Sequence, residues 1–582
     1  MSKIIAIEFE NFQSIKERTR INLGSITLLY GPNSAGKSSV FDALELIECI
    51  WDPIKFESPK VQAMVKKWSR IENHKSLPLS LAIEYELDEQ GSHPYDDVWD
   101  DDNNWNCLKP RTPHQSFYYG AYTDDPLESP MFENGPAKVR LEIEFVYERK
   151  YLRKHVISAI QIIVNEKIIL SYGKKYPIRE SLGYELKNHE EQLAREDFLA
   201  INSKVDFHNT NLPFLIDDIK HRPKDAQHLV KINNEEYYWS FYSINEFDIT
   251  SFVGGAPDSD RSVDAILALN ASDLTFYFGT LLGKILRNKS PLVKADRRVP
   301  TPQEALTIVD PGIANWWGTS NFSPSTPAKL ISESSKNIDP HYSIVARSAH
   351  AELLKRTTTA DFWGGSFAEE QLASFCKESE LVDRINHHLE SRLFREKLYK
   401  VKCSSTLMVP IDLNEDDPWD YYSLAQPATV RLFLEDGESR KTEFEDVGSG
   451  VPFVLPVLCA AVVGGLAKIQ QPELHLHPAL QSSIADVLIE EKIANSKNQF
   501  IIETHSEHLL LRLLRRIRDT ENKVSTATDL PLKSEDIAVY YFDPQVNGGT
   551  IVTRQLVTPL GDFYNDWPKG FFAERDGDLF NV

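Results

Sequence analysis

An α/β fold follows from three features of the sequence. A β-branched apolar run, Ile26 to Tyr30, leads through a glycine-bounded loop into a helical pattern from Val40 to Ile50 with apolar Phe41, Leu44, Leu46 and Ile47. Alternating apolar and polar residues recur between Lys3 and Tyr172, as half-buried antiparallel strands require. A second strand-turn-helix succession returns near the other end of the chain, from Lys468 to Arg518.

The loop itself carries chemistry. Gly31-Pro32-Asn33-Ser34-Ala35-Gly36-Lys37-Ser38-Ser39 fits the G-x-x-x-x-G-K-S pattern, set between a strand and a helix as that pattern demands. Glycines at 31 and 36 let the backbone close around phosphate groups, and main-chain N–H donors of residues Asn33 through Ser39 face the negative charge. Lys37 reaches the terminal phosphates and Ser38 supplies a magnesium ligand, so ATP and Mg2+ are the expected cofactors. A Gly/Ser turn with an exposed lysine is the plainer alternative.

Other elements follow in order. Lys3 to Phe12 alternates Ile5, Ile7 and Phe9 with Ala6, Glu8 and Glu10, a strand. Leu79 to Leu87, Val139 to Glu148, Val156 to Ile163 and Lys167 to Tyr172 read as an antiparallel meander. The acidic stretch Asp96 to Asp102, with Trp99 and nearby Trp105, reads as an exposed loop rather than a metal site. Residues 174–260 give no readable pattern. Helical spacing marks Asp264 to Arg287, Tyr342 to Lys355 and Glu369 to Leu398, the last long enough for a projecting arm, with loop between 299 and 340. Thr429 to Phe433 and Lys441 to Phe444 read as strands, and Val447-Gly448-Ser449-Gly450 opens an apolar helix. A helix from Ala479 to Glu491, a strand from Gln499 to Glu503 and an arginine-bearing helix follow, then a small β region and an aromatic tail, Trp567 to Phe572. The expected division is 1–173, the N-terminal half of a nucleotide-binding head; 174–400, a variable insertion with a helical arm; 401–520, the C-terminal half of the head; and 521–582, a small C-terminal domain.

Bulk properties narrow the classes. The 582 residues exceed one comfortable core, so several domains or large insertions are expected. Hydrophobic residues at 41% and charged ones at 26% fit a water-soluble protein, and no apolar run reaches membrane-span length. Five cysteines, Cys49, Cys107, Cys376, Cys403 and Cys459, lack pairing or metal spacing, and the first residues enter a strand without a secretory leader. A cytoplasmic location is expected. A net charge of −22 argues against coating nucleic acid through overall basicity. Two local basic stretches remain, one holding Lys284, Arg287, Lys289, Lys294, Arg297 and Arg298, the other Arg512, Arg515, Arg516 and Arg518. Solvated faces or salt bridges explain either stretch more simply.

A phosphate loop at one end and further nucleotide chemistry more than four hundred residues later imply one head built from both ends. This arrangement resembles the ABC-type ATPases of the structural-maintenance-of-chromosomes and RecF kind. The strand end Gln470-Gln471-Pro472-Glu473-Leu474-His475-Leu476-His477-Pro478 and the turn Ile502-Glu503-Thr504-His505-Ser506-Glu507-His508-Leu509 are similar to those of bacterial anti-phage ATPases. That branch includes the overcoming-lysogenization-defect proteins and the Septu-type ATPase PtuA. Asp446 to Gly450 occupies the signature position, and the tail resembles a C-terminal domain ending in Trp-Pro-x-Gly-Phe-Phe.

The resemblance implies that two protomers sandwich two nucleotides, with Ser449 and Gly450 of one capping the phosphates held by Lys37 and Ser38 of the other. It makes His505 a contact to the γ-phosphate or to attacking water. Gln470 and Gln471 stand where such heads place acidic residues, so Gln470 falls at the metal position and Gln471 at the water-orienting one. Glu473, the nearest acid, takes over part of the task, or hydrolysis is slow and ATP acts as a switch. His475 and His477, two apart without a third ligand, read as structural. Lys294 to Pro300 falls where relatives often carry a Gly-Pro-Leu-Arg-like loop, a weak correspondence that assigns Arg297 no nucleotide role.

The implied biology is an ATPase subunit of a defence system, a homodimer or larger oligomer controlling a partner nuclease of HNH type, with retron or phage DNA as further partners. Too little chain follows His505 for a nuclease domain of its own. A RecF-like DNA-repair ATPase, binding DNA directly through its basic stretches, is the alternative. A membrane transporter's ATPase is disfavoured by the long insertion.

Overall fold

The computed structural model describes residues 3–50, 59–69, 71–72, 75–87, 137–148, 154–174, 203–207, 228–232, 235–239, 282, 285–286, 291–297, 299, 306–309, 339–357, 366–407, 428–448, 450–524, 530–546 and 548–565. The acidic 96–102 loop, Cys107, Lys284, Arg287, Lys289, Arg298, Ser449 and the 567–572 tail lie outside them.

The N-terminal half begins with β1 (Lys3–Glu10), β2 (Thr19–Asn22) and β3 (Ile26–Tyr30), then helices α1 (Ser39–Ile50) and α2 (Pro59–Trp68). A two-residue ladder, β4 (Ile71–Glu72) with β5 (Lys75–Ser76), precedes β6 (Leu79–Leu87), β7 (Ala137–Glu148), β8 (Lys154–Val164) and β9 (Lys167–Lys174). Three further strands, β10 (Ser203–Phe207), β11 (His228–Ile232) and β12 (Glu235–Trp239), extend the same sheet, in the order β12-β11-β10-β9-β8-β7-β6-β1-β2. Every pairing in it is antiparallel except β10 with β11. The expected meander is present, and it runs on past residue 173 into the stretch that showed no readable pattern.

The second half contains β13 (Leu306–Val309), helices α3 (Pro340–Thr357) and α4 (Ser366–His388), and a π turn at Leu389–Leu393. It continues with β14 (Lys400–Leu407), β15 (Ala428–Glu435), β16 (Lys441–Thr442), α5 (Gly450–Val463), β17 (Leu466–Gln470), α6 (Pro478–Ala494), β18 (Gln499–Glu503), α7 (Glu507–Glu521), β19 (Ile537–Pro544) and β20 (Thr550–Gln555). Strands β13, β14, β15 and β16 make a small antiparallel sheet. The end of α4 is not a free arm: Val382, Ile385 and Leu389 are buried, and His388 and Arg392 pair with Glu491 and Glu490 of α6 at 2.6 and 2.9 Å.

The core sheet has the order β17-β18-β3-β19-β20. β3 lies between β18 and β19 and runs parallel to both, so a strand from the start of the chain is clasped by partners 474 and 511 residues further along. A parallel strand covered on both faces must be apolar throughout, and all five residues of β3 and of β18 are buried. Alternation sends Ile26, Leu28 and Tyr30 into one core with α5, α6 and α7, and Leu29 into the other, with α1 and the large antiparallel sheet. Residues 521–582, expected to stand as a small domain, thus contribute β19 and β20 to this sheet. The chain is a mixed α/β protein whose central layer is assembled from its two ends.

Candidate functional site

β3 delivers the phosphate loop at its C-terminal end, where open parallel sheets bind ligands. Gly31 (φ 143°) and Gly36 (φ 87°) adopt conformations that side chains disfavour. A Cβ at 31 would lie 2.5 Å from the Phe542 carbonyl oxygen, and one at 36 would lie 2.2 Å from Ser14 Oγ. The loop is also braced from outside. Thr550 Oγ1 donates to the Ala35 carbonyl (2.9 Å), and Ser39 Oγ donates to Gln13 Oε1 (2.7 Å). Lys37 is buried, and its Nζ donates to the Gly31 and Pro32 carbonyls at 3.0 and 2.9 Å. Burial draws its ammonium below the ordinary lysine value, while Glu503 and Glu473 pull the other way. Asn33 and Ser34 are exposed at the loop's tip, Ser34 at φ 63°.

The structure brings Glu503 to this loop, and sequence reasoning missed it. In the parallel register Glu503 is opposite Leu29 on one side and Gln470 on the other. Its Oε2 accepts from Ser38 Oγ at 2.9 Å and from Gln470 Nε2 at 3.3 Å, and its Oε1 lies 3.8 Å from Lys37 Nζ. The available signal was a lone acid closing the otherwise apolar half-strand Phe500-Ile501-Ile502. Hydroxyl and carboxylate oxygens side by side are hard donors of the kind Mg2+ takes, so Ser38 and Glu503 fit that ion. Gln470 stands one strand farther out. Its Oε1 accepts from the Ala295 N–H at 3.4 Å while its amide nitrogen faces Glu503.

Gln471, Glu473 and His505 occupy the adjoining turn. Gln471 is held at φ 45°, and its N–H donates to the Glu503 carbonyl at 2.6 Å. Glu473 accepts from Thr504 Oγ1 (2.7 Å) and from the His505 N–H (2.8 Å), one bond on each carboxylate oxygen. Burial pushes its pKa above the ordinary carboxylate value, and those two bonds offset the rise in part. Glu473 therefore holds the Thr504-His505 turn in place. Burial, and then the charge of Lys37, lowers the His505 value, which favours the neutral imidazole. The turn ends in Ser506, whose Oγ accepts from the Leu509 N–H and caps α7, while Tyr30 OH donates to the Ser506 carbonyl at 2.9 Å.

The remaining candidates have structural partners. Arg297 is buried and donates to the Gln470 and Gln471 carbonyls, both at 2.8 Å, clamping the strand end. His477 caps α6 by accepting from the Ala479 N–H (3.3 Å), and His475 packs at a tilt against Phe453 with ring centroids 4.3 Å apart. Gly450 is the first residue of α5. Of the second basic stretch, Arg512 and Arg516 both pair with Asp486, and Arg518 pairs with Asp562. Arg515 faces Asp519 at 3.6 Å.

Two family models match the chain: residues 2–252 match the AAA ATPase domain, and residues 375–512 match the model described as "AAA domain, putative AbiEii toxin, Type IV TA system". No curated protein sequence matches. Among solved structures, the chain is similar to the Smc head domain with an extended coiled coil from Pyrococcus furiosus, at 11% identity over 95% of this chain and 96% of that one, with a TM-score of 0.34. A second is the Smc head domain with a coiled coil and joint from Pyrococcus yayanosii, at 9% identity over 96% and 98%, with a TM-score of 0.35. A third is the SMC head domain from Thermotoga maritima, at 7% identity over 95% and 98%, with a TM-score of 0.30. Likeness of that size carries no argument alone. Among the described residues no helix is long and apolar enough to cross a membrane. The two matched segments, which include the phosphate loop and the strand-end turn, are each similar to an AAA-type ATPase domain.

Proposed function

We propose that the chain binds ATP with Mg2+ at the loop Asn33 to Ser39 and uses it chiefly as a switch. The convergence of Lys37, Ser38 and Glu503, from segments more than four hundred residues apart, carries this reading. Lys37 neutralises phosphate charge, loop amides hold the oxygens, and Ser38 and Glu503 hold the cation. When bound, that cation offsets phosphate charge. Hydrolysis is slow. Gln471 stands where a proton-accepting carboxylate would serve, and the oxygens of Glu473 are engaged by Thr504 and His505.

In this reading two copies close around ATP, each presenting Ser449 and Gly450, the latter the first residue of α5, to the other's phosphates, with His505 sensing the γ-phosphate. A helix N-terminus supplies the donors for that contact. The closed form then controls a separate effector, with an HNH-type nuclease the favoured class and retron or phage DNA a further ligand. The toxin–antitoxin wording of the second matched model favours a defence setting. Direct DNA clamping through α7 is less favoured, because Arg512 and Arg516 are paired with Asp486 inside the fold.

The test is molar mass by light scattering with ATP and with ADP, alongside phosphate release. ATP-dependent doubling of mass with slow release supports the switch. A monomer in both nucleotides sinks it.

A further inference from the structure

We propose that Glu503, and neither Gln470 nor Glu473, is the anionic ligand for the divalent cation, so that the site takes its negative charge from the strand beside the one that ends in Gln470. This rests on the ATP-binding reading above and deepens it. Three observations carry it. Glu503 is the carboxylate in contact with Ser38, at 2.9 Å, and its side chain is 10% exposed. Its place is fixed by backbone register, since β18 pairs with β3 at Leu29 and with β17 at Gln470. The other two candidates serve elsewhere: Glu473 receives Thr504 and His505, and Gln470 carries no charge.

The neutral residue at 470 then has a physical reason. Carboxylates at both registered positions would set two like charges side by side at neighbouring strand ends, each disfavouring ionisation of the other. An amide instead donates to Glu503 and, with Ser38, orients it. Lys37 at 3.8 Å balances the charge. A merely structural Glu503, serving only as the counter-charge of buried Lys37, would influence nucleotide affinity equally with and without the cation. A ligand would not.

The experiment titrates the full chain with N-methylanthraniloyl-ATP in Mg2+ and in EDTA, for wild type, Glu503→Gln, Glu503→Asp and the exchange Gln470→Glu/Glu503→Gln, after thermal melts establish folding. Wild type is expected to bind more tightly in Mg2+. Glu503→Gln should lose about 10-fold or more of that gain with its EDTA affinity unchanged, a loss of the size seen when groups around a metal are altered. Glu503→Asp should keep part of the gain, and the exchange variant should recover most of it. An unchanged Mg2+ gain in folded Glu503→Gln, or an equal loss in both buffers, overturns the proposal. Should Glu503→Gln not fold, a Glu503→Asp variant with the full wild-type gain and an exchange variant with none overturn it. Wild type that binds no nucleotide at all overturns the ATP reading itself and this inference with it.

Discussion

Gln470 and Glu503 end neighbouring parallel strands in direct register, and the Gln470 amide donates to the Glu503 carboxylate at 3.3 Å. Replacing Gln470 by glutamate puts a second negative charge against the first. We expect Gln470→Glu to lower stability by about 1 kcal/mol without divalent ions, through like-charge repulsion. Thermal melts with and without Mg2+ check it: the variant should gain more from Mg2+ and nucleotide than wild type does, and an equal gain contradicts the prediction.

Arg297 spans two carbonyls at the end of β17 from a buried position. Lysine, a single point charge, cannot reproduce that fork. Arg297→Lys should cost about 1–3 kcal/mol, the penalty of leaving buried acceptors without their donor, in chemical denaturation. A variant as stable as wild type would refute the clamp.

The ion triad of Asp486 with Arg512 and Arg516 joins α6 to α7, with Arg516 bonded to both carboxylate oxygens at 2.8 and 3.0 Å. Breaking a buried pair strands a charge. Asp486→Ala should destabilise by about 3–5 kcal/mol. Arg515→Ala, on an exposed side chain, should leave stability within about 0.5 kcal/mol. If Arg515→Ala abolishes retention of DNA in a gel-shift assay at physiological salt, the DNA-clamping alternative regains its footing.

Much of this was legible from sequence where the determinant is local. Ile26 to Tyr30 and Gln499 to Glu503 are built on the apolar runs Leu28-Leu29-Tyr30 and Phe500-Ile501-Ile502 and are followed by a glycine and by a Thr-His turn, and both are strands with those bounds. Glu503 was not legible as a site residue, because its role depends on which strand lies beside which, a long-range fact that periodicity does not encode. Strands β10 to β12 escaped notice for a local reason: Ser203–Phe207 and Glu235–Trp239 are five-residue strands with polar residues among the apolar ones. Length alone predicts an arm over Glu369 to Leu398. Its second half is buried because Val382, Ile385 and Leu389 recur on one face, at helical spacing.

Acid should weaken the antiparallel sheet through Glu8. Glu8 is bonded by Arg140, Arg20 and Arg18. Burial alone would raise its value, but the three guanidiniums hold it at about 2. A depressed carboxylate stabilises the fold above its unfolded value, and this contribution disappears as pH falls from about 4.5 towards 2. Glu8→Gln should therefore lose about 1–2 kcal/mol at pH 7, allowing for solvent screening, and show a flatter decline in stability between those pH values. Parallel curves for the two proteins would contradict the sign.

Nucleotide affinity of Lys37→Ala against wild type, by calorimetric titration with Mg2+ and ATP, tests the central claim most directly. The claim is that segments from both ends of the chain build one phosphate site around Lys37, Ser38 and Glu503. Loss of a charged donor to phosphate predicts about 10–100-fold weaker binding in a variant that melts like wild type. Equal affinity in the two proteins would place any bound nucleotide elsewhere and contradict the account.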